Sequence, residues 1–252
     1  MCIRDSDRVP VPRNLTSVAL LAPGTTQGDS AFGDLPSIGG ASVGENGYYI
    51  NGLNITNFRT GVGSSEPPFD MYETFEVKTG GYSAEYGRIT GGVINAKTKS
   101  GSNEFKAGVN VYWEPDALRE QKNSYRRTTN GTYRIDNTGD EKDSWDANVW
   151  ASGALIEDKL FFYALFNPRS VEEKFVGEQQ INSTGLVQNG FTETDEDAFW
   201  VAKVDWYATE NNILEVTVFS DERSTEIQTF DSTDGVFTTD SRVGYEDEGG
   251  LN

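Results

Sequence analysis

The sequence predicts a small α+β domain followed by antiparallel β-strands of an incomplete transmembrane β-barrel. Three observations predict it. Up to about Gly101 the chain is punctuated by glycines and short apolar runs. Beyond that point apolar and polar residues alternate with period two over segments of about ten residues. The connections between those segments are short and long in strict alternation.

Composition sets the bounds. The 252 residues suffice for one or two domains with a substantial core. The chain has 27 glycines and is 12% aromatic, which suits a β-rich protein with long polar loops better than a helical bundle. It carries 21 basic and 40 acidic residues, and phosphate binding draws its affinity from Lys and Arg, so nucleic acid is not an expected partner. Residues 1–100 hold 8 basic and 10 acidic side chains, leaving 13 and 30 for the rest, so the acidity belongs to the alternating region. With no histidine and Cys2 as the only cysteine, His-based triads, His or Cys metal sites and internal disulfides are excluded. No run approaches the roughly 18 apolar residues of a membrane helix.

In chain order, Met1–Arg8 lacks the apolar core of a secretion signal, so residues 1–8 are expected to be a non-native or disordered start. Residues 9–23 read as a short helix, with Asn14 as N-cap, Leu15, Val18, Ala19 and Ala22 on one face, and Pro23-Gly24 as the stop. Residues 24–47 read as loops around an extended piece at 37–40. Residues 48–52 read as a strand ending in an Asn51-Gly52 turn. Residues 53–68 are a polar loop, and Pro67-Pro68 leads into one helical turn near residues 69–72. Two extended runs, 75–78 and 92–98, flank a link containing Gly80-Gly81 and Gly91-Gly92.

Five amphipathic strands follow. Phe105, Ala107, Val109, Val111 and Trp113 share one face; so do Trp145, Ala147, Val149 and Ala151, against Asp146, Asn148 and Ser152. Leu160, Phe162, Ala164 and Phe166 form the third row. Trp200, Ala202, Val204 and Trp206 form the fourth, against Lys203 and Asp205, and Leu214, Val216 and Val218 the fifth, against Glu215 and Thr217. About thirty polar residues separate the first two strands and about twenty-seven the third and fourth, whereas 155–159 and 209–212 are brief turns. A membrane barrel predicts that alternation, with aromatics near strand ends at the lipid boundary. A soluble sandwich could produce it, but has no reason to place every long loop at one end. Five strands cannot close a barrel, and an open edge has no hydrogen-bond partners in lipid, so the barrel is incomplete.

The order Asn51-Gly52, Pro68, Glu73-Thr-Phe-Glu76-Val77, Gly80, Ser83, Tyr86-Gly87, Gly91-Gly92-Val93-Ile94-Asn95, Thr98-Lys99 resembles the end of the plug domain of TonB-dependent outer-membrane receptors, particularly the Oar-like branch. The match runs over about fifty residues in the family's order. Two departures stand out: the family often has Asp where Asn51 stands, and Gly-Pro where Gly80-Gly81 stands. The resemblance implies a partial plug at 9–101 and, at 102–252, the first five or so strands of a barrel with long extracellular loops. It further implies a Gram-negative outer membrane, uptake of a scarce ligand energised through TonB, and a plug that gates the lumen. The TonB-contacting segment is expected before the plug and is not recognisable here. The ligand is open among small chelates, oligosaccharides and peptides, and outer-membrane lipid is the other expected partner.

The family motif residues are Asn51, Gly52, Gly80, Tyr86, Gly87, Gly91 and Gly92. By the same resemblance, Asn54, Thr56, Asn57, Arg59 and Phe69 occupy positions that tend to face ligand at the plug apex; a solvated polar loop is the plainer reading. The acidic clusters at 140–143, 195–197, 231–234 and 246–248 lack the full spacing of a calcium loop and read as surface charge. No Walker loop, nucleophile elbow or complete dinucleotide fingerprint is present, so no catalytic residue, metal or cofactor is assigned and an enzyme is not expected. The competing reading from another class is a secreted or surface β-rich adhesion or carbohydrate-binding protein, whose aromatic rows would pack inward against a second sheet.

Overall fold

The structure is a computed structural model that describes residues 13–29, 35–57, 61–64, 67–87, 89–121, 125–128, 132–135, 137–182, 185–233, 236–238 and 243–248. The expected start at 1–8 lies outside the described residues, as does Arg59. Two compact units are present: Met1–Lys106 with Ala151–Leu165 and Val201–Thr217, and Ala107–Trp150 with Phe166–Trp200 and Val218–Asn252.

The first unit opens with α1 (Leu15–Ala19). The Asn14 Oδ1 caps it by accepting from the Ser17 N–H at 2.7 Å. The helix is much shorter than the sequence suggested: the Leu21 and Ala22 N–H groups bond Val18 and Ala19 carbonyls, tightening the chain into turns before Pro23 is reached. Five residues are too few for a helix to persist alone, so burial of Val18 and Ala19 holds it. Within 24–47 an unexpected β1 (Thr25–Gln27) pairs with β2 (Pro36–Ile38), which is the extended piece expected at 37–40, shifted slightly toward the N-terminus; the pair is antiparallel with Thr25 opposite Ile38.

Next come β3 (Gly47–Ile50), β4 (Leu53–Asn54), β5 (Tyr72–Lys78) and β6 (Val93–Thr98), in the sheet order β4-β3-β6-β5. Strand β3 runs parallel to β6, Gly47 against Val93 through Ile50 against Ala96, and β5 is antiparallel to β6. The β3–β4 hairpin closes on Asn51 and Gly52, both at positive φ (48° and 84°), the pattern of the two-residue turn that matches strand twist. One 3₁₀ turn, Phe69–Met71, follows the two prolines as expected and leads straight into β5. Ile38, Tyr48, Ile50, Met71, Tyr72, Phe75, Val93, Ile94 and Ala96 form a buried core. The backbone at Gly92 lies so close to Ile38 that an added Cβ would sit 2.5 Å from its side chain, and at Gly91 the same distance from Asn46 Oδ1.

After the core come β7 (Lys106–Glu114), β8 (Tyr125–Thr128), β9 (Thr132–Ile135), β10 (Glu141–Ile156), β11 (Leu160–Asn182), β12 (Gly185–Thr209), β13 (Asn212–Ser220), β14 (Arg223–Thr233), β15 (Val236–Thr238) and β16 (Val243–Glu248). They form an open sheet with the path β15-β14-β12-β11-β10-β7; β13 also pairs with β12, β16 with β14, and β9 with β8 and β11. Strands β13 and β14 follow one another along β12, broken only at Asp221-Glu222.

The long connection expected between the third and fourth strands is not a loop. Strands β11 and β12 are 23 and 25 residues long and all but meet. At roughly 3.3 Å per residue β12 extends about 80 Å, far beyond an apolar membrane band of about 25 Å. The first long connection likewise holds the β8–β9 hairpin. The short turns at 157–159 and 210–211 stand as the sequence places them.

These strands turn a row of large apolar side chains outward. Phe105 and Trp113 are each 70% exposed, Val149 is 46% exposed, and Trp145, Phe166, Trp200, Val204, Trp206, Leu214 and Val216 face outward with them. The opposite face is mixed: it buries Asn148 (2% exposed), Ser152, Asn167, Lys203 (4%) and Asp205 together with Tyr163, Leu165, Phe199, Val201 and Phe219. A soluble sandwich would bury the outward aromatic rows as well, so their exposure counts against the adhesion-like alternative. No helix among the described residues is long and apolar enough to cross a membrane.

Candidate functional site

At the turn between β3 and β4 one side chain makes three hydrogen bonds. Asn51 is one of the few non-glycine residues suited to a positive φ, and its amide is engaged by distant parts of the chain. Its Nδ2 donates to Thr98 Oγ1 at 2.8 Å and Thr217 Oγ1 at 3.0 Å, while Oδ1 accepts from the Thr98 N–H at 3.0 Å. The turn is thereby tied to the end of β6 and to β13. A second amide, Asn46, performs the same work one layer away: Nδ2 donates to the Pro36 carbonyl at 2.6 Å and Oδ1 accepts from the Gly92 N–H at 2.9 Å. The sequence reading missed Asn46, whose only signal was a polar residue ahead of an apolar strand.

The residues expected at a ligand-facing apex separate. Asn54 ends β4, and Thr56 and Asn57 follow it into a loop that an isolated bridge from Thr56 to Ser64 draws closed. Asn54 Oδ1 accepts from the Thr56 N–H at 2.9 Å, and Thr56 Oγ1 accepts from the Tyr48 N–H at 3.1 Å. Asn57 bonds Gly63 and Gly61 through its main chain. Phe69 does not join them, which corrects the sequence reading. Its ring is buried, stacks on Phe75 at 5.3 Å, and lies beneath the Arg13 guanidinium at 5.2 Å. Pro68 sets the entry angle of the 3₁₀ turn, and that turn points the ring into the core.

Most of the motif residues explain themselves as structure. Tyr86 ends the 3₁₀ turn Ala84–Tyr86, and Gly87 leaves it at φ 66°. The Tyr49 hydroxyl donates to the Tyr86 carbonyl at 3.0 Å, with the two rings edge to face at 5.2 Å. Lys78 Nζ donates to the Tyr86 hydroxyl at 3.0 Å and lies 4.8 Å from that ring's centre. The bond to Tyr86 holds the ammonium above its ordinary pKa, and the Glu76 carboxylate adds to the effect. Burial pushes the Tyr49 hydroxyl up, helped by Tyr86. Gly80 stands in open space and has no such explanation.

The strands supply a second polar set. Lys203 Nζ, almost fully buried, lies 2.6 Å from Glu215 Oε1 and 3.6 Å from Asp205 Oδ1, and donates to Ser100 Oγ at 2.9 Å. In the other unit, Asp146 Oδ1 accepts from Asn148 and Asn167. Asp195 takes Arg223 and Thr225, and Asp197 takes Arg169 and the Ser224 N–H. The acidic triplet at 195–197 is therefore engaged by its neighbours through two of its three members. The clusters at 231–234 and 246–248 have side chains outside the described set.

A glycine-punctuated α+β region joined to long antiparallel strands with outward apolar rows is a combination that known proteins share. A family model, the TonB-dependent receptor plug domain, matches residues 5–93. The TonB-dependent transporter Oar of Myxococcus xanthus is 35% identical over 193 residues, which is 75% of this chain and 17% of Oar. This chain belongs to the TonB-dependent receptors. It represents part of such a receptor, a class of outer-membrane protein. The crystal structure of the siderophore receptor PirA from Acinetobacter baumannii matches with a TM-score of 0.51 at 16% identity, covering 100% of this chain and 43% of PirA, which shows a shared fold. The receptor segment described here thus spans under a fifth of Oar and less than half of PirA.

Proposed function

We propose that the complete receptor takes up a scarce ligand across the outer membrane with energy delivered through TonB, and that residues 9–101 act as the plug gating the lumen of a barrel whose opening strands lie in 102–252. The outward apolar rows of the strands support this reading most directly. An aromatic and aliphatic outer row suits lipid, and an inner face that buries Asn148, Lys203 and Asp205 beside Tyr163, Phe199 and Val201 suits a pore filled by protein. The ligand class remains a small chelate, an oligosaccharide or a peptide. Asn54, Thr56 and Asn57 are the plug residues proposed to meet it, with Arg59 beside them in sequence. TonB would act on a segment ahead of the plug.

The test is accumulation of radiolabelled ferric chelates, oligosaccharides and peptides by cells carrying the full-length receptor. Uptake of one class is expected, abolished by loss of TonB. Specific, energy-dependent uptake that survives deletion of the plug would refute the gating role.

A further inference from the structure

We propose that Lys203 is a positioning residue that fastens the segment following β6 to the inner face of the sheet, making residues 99–104 a fixed anchor for the α+β domain. The inference rests on the transport reading above only for its consequence, that this end stays docked while the lumen opens.

A buried ammonium needs partners, and Lys203 has two carboxylates on the sheet, Glu215 and Asp205. It needs no third partner for charge, yet its remaining donor capacity is directed at Ser100. The rest of the segment meets its surroundings at three further points. The Lys99 N–H donates to the Met71 carbonyl at 2.9 Å. Gly101 passes so near the sheet that an added Cβ would lie 2.5 Å from the Phe162 carbonyl oxygen and 2.6 Å from that of Gly153. Asn103 and Asp158 exchange two bonds, Asn103 Nδ2 to Asp158 Oδ1 at 2.7 Å and the Asp158 N–H to Asn103 Oδ1 at 2.9 Å. A passive linker requires none of these contacts. The partners come from β10, the turn after it, β11 and β12, so the segment is pinned across successive strands, and Lys203 is the buried charged member of the set.

Hydrogen exchange of the full-length receptor in detergent micelles, followed through a urea series, tests this. In the wild type, amides of 99–104 keep their protection at urea concentrations that release those of 13–29. Ser100→Ala, which leaves the Lys203–Glu215 pair intact, speeds exchange of 99–104 about tenfold, the effect of one lost hydrogen bond to a charged donor. Lys203→Gln does at least as much, while peptides from 160–165 and 212–218 exchange as in the wild type. Ser100→Thr keeps the hydroxyl and restores protection, which a purely steric role for Ser100 would not allow. Joint release of 99–104 with 13–29 in the wild type, or unchanged exchange in Ser100→Ala, overturns the proposal. A receptor that retains the anchor yet accumulates none of the labelled compounds refutes the transport reading and leaves the anchor in place.

Discussion

Ile94 and Val149 are both β-branched residues in the middle of a strand, yet they meet opposite surroundings. Ile94 lies opposite Tyr48 on one side and Val77 on the other and is sealed in the core of the β3–β6–β5 sheet. Val149 faces outward while its neighbour Asn148 is buried. Alternation alone therefore fixes which residues share a face, and the medium on each side decides which face is covered. In the β3–β6–β5 sheet protein covers both Ile94 and its neighbour Val93. In the long strands protein covers one face only, and the apolar rows on the other are exposed.

That contrast can be broken by substitution. The largest effect is expected for Ile94→Ala, a cavity in a close-packed core costing about 4 kcal/mol, read from the urea dependence of exchange in the 93–98 peptide. Val149→Arg should cost about 2–4 kcal/mol when the full-length receptor folds into phospholipid bilayers. A negligible change there would mean that Val149 does not face lipid.

Alkaline pH gives the third prediction. Burial pushes the Tyr48 hydroxyl from 10.0 up to about 12, so between those values the unfolded chain releases a proton that the folded one keeps. Stability contributed by the neutral hydroxyl is whole below pH 10 and declines through pH 12, by about 3 kcal/mol. Thermal melts at pH 9 and 11.5 should show the loss, and Tyr48→Phe should remove that part of it. Asn51→Ala ranks last, at about 2 kcal/mol, from lost hydrogen bonds and a side chain ill suited to positive φ. Asn51→Gly relieves the φ term alone and should recover part of the stability.

The sequence reading succeeded wherever one face of a segment differs from the other. The five apolar rows were legible for that reason, whereas the Asn51-Gly52 turn and the helical turn after Pro68 were legible from the backbone preferences of Asn, Gly and Pro. It failed in the outer halves of β11 and β12, where stretches such as Val171-Glu-Glu-Lys174 and Thr192-Glu-Thr-Asp-Glu-Asp197 are polar on both faces. A strand that is polar on both faces carries no period-two signal, and such composition reads as loop. The site suffered a different loss. Phe69 belongs to the core and Lys203 to a buried ion pair because of contacts made over long separations in sequence, Phe69 with Arg13 and Lys203 with Ser100, which no local pattern encodes.

The parallel pairing of β3 with β6 has a mechanical consequence. Because both strands run the same way, tension applied to the chain entering β3 at Gly47 and resisted beyond Thr98 at the end of β6 pulls the two strands lengthwise past each other. All the hydrogen bonds between them then bear the force together. The antiparallel β1–β2 pair, gripped at Thr25 and Ile38 where its ends meet, would instead peel open one bond at a time. A pull from the N-terminal side therefore encounters its weaker resistance first and its stronger resistance at β3.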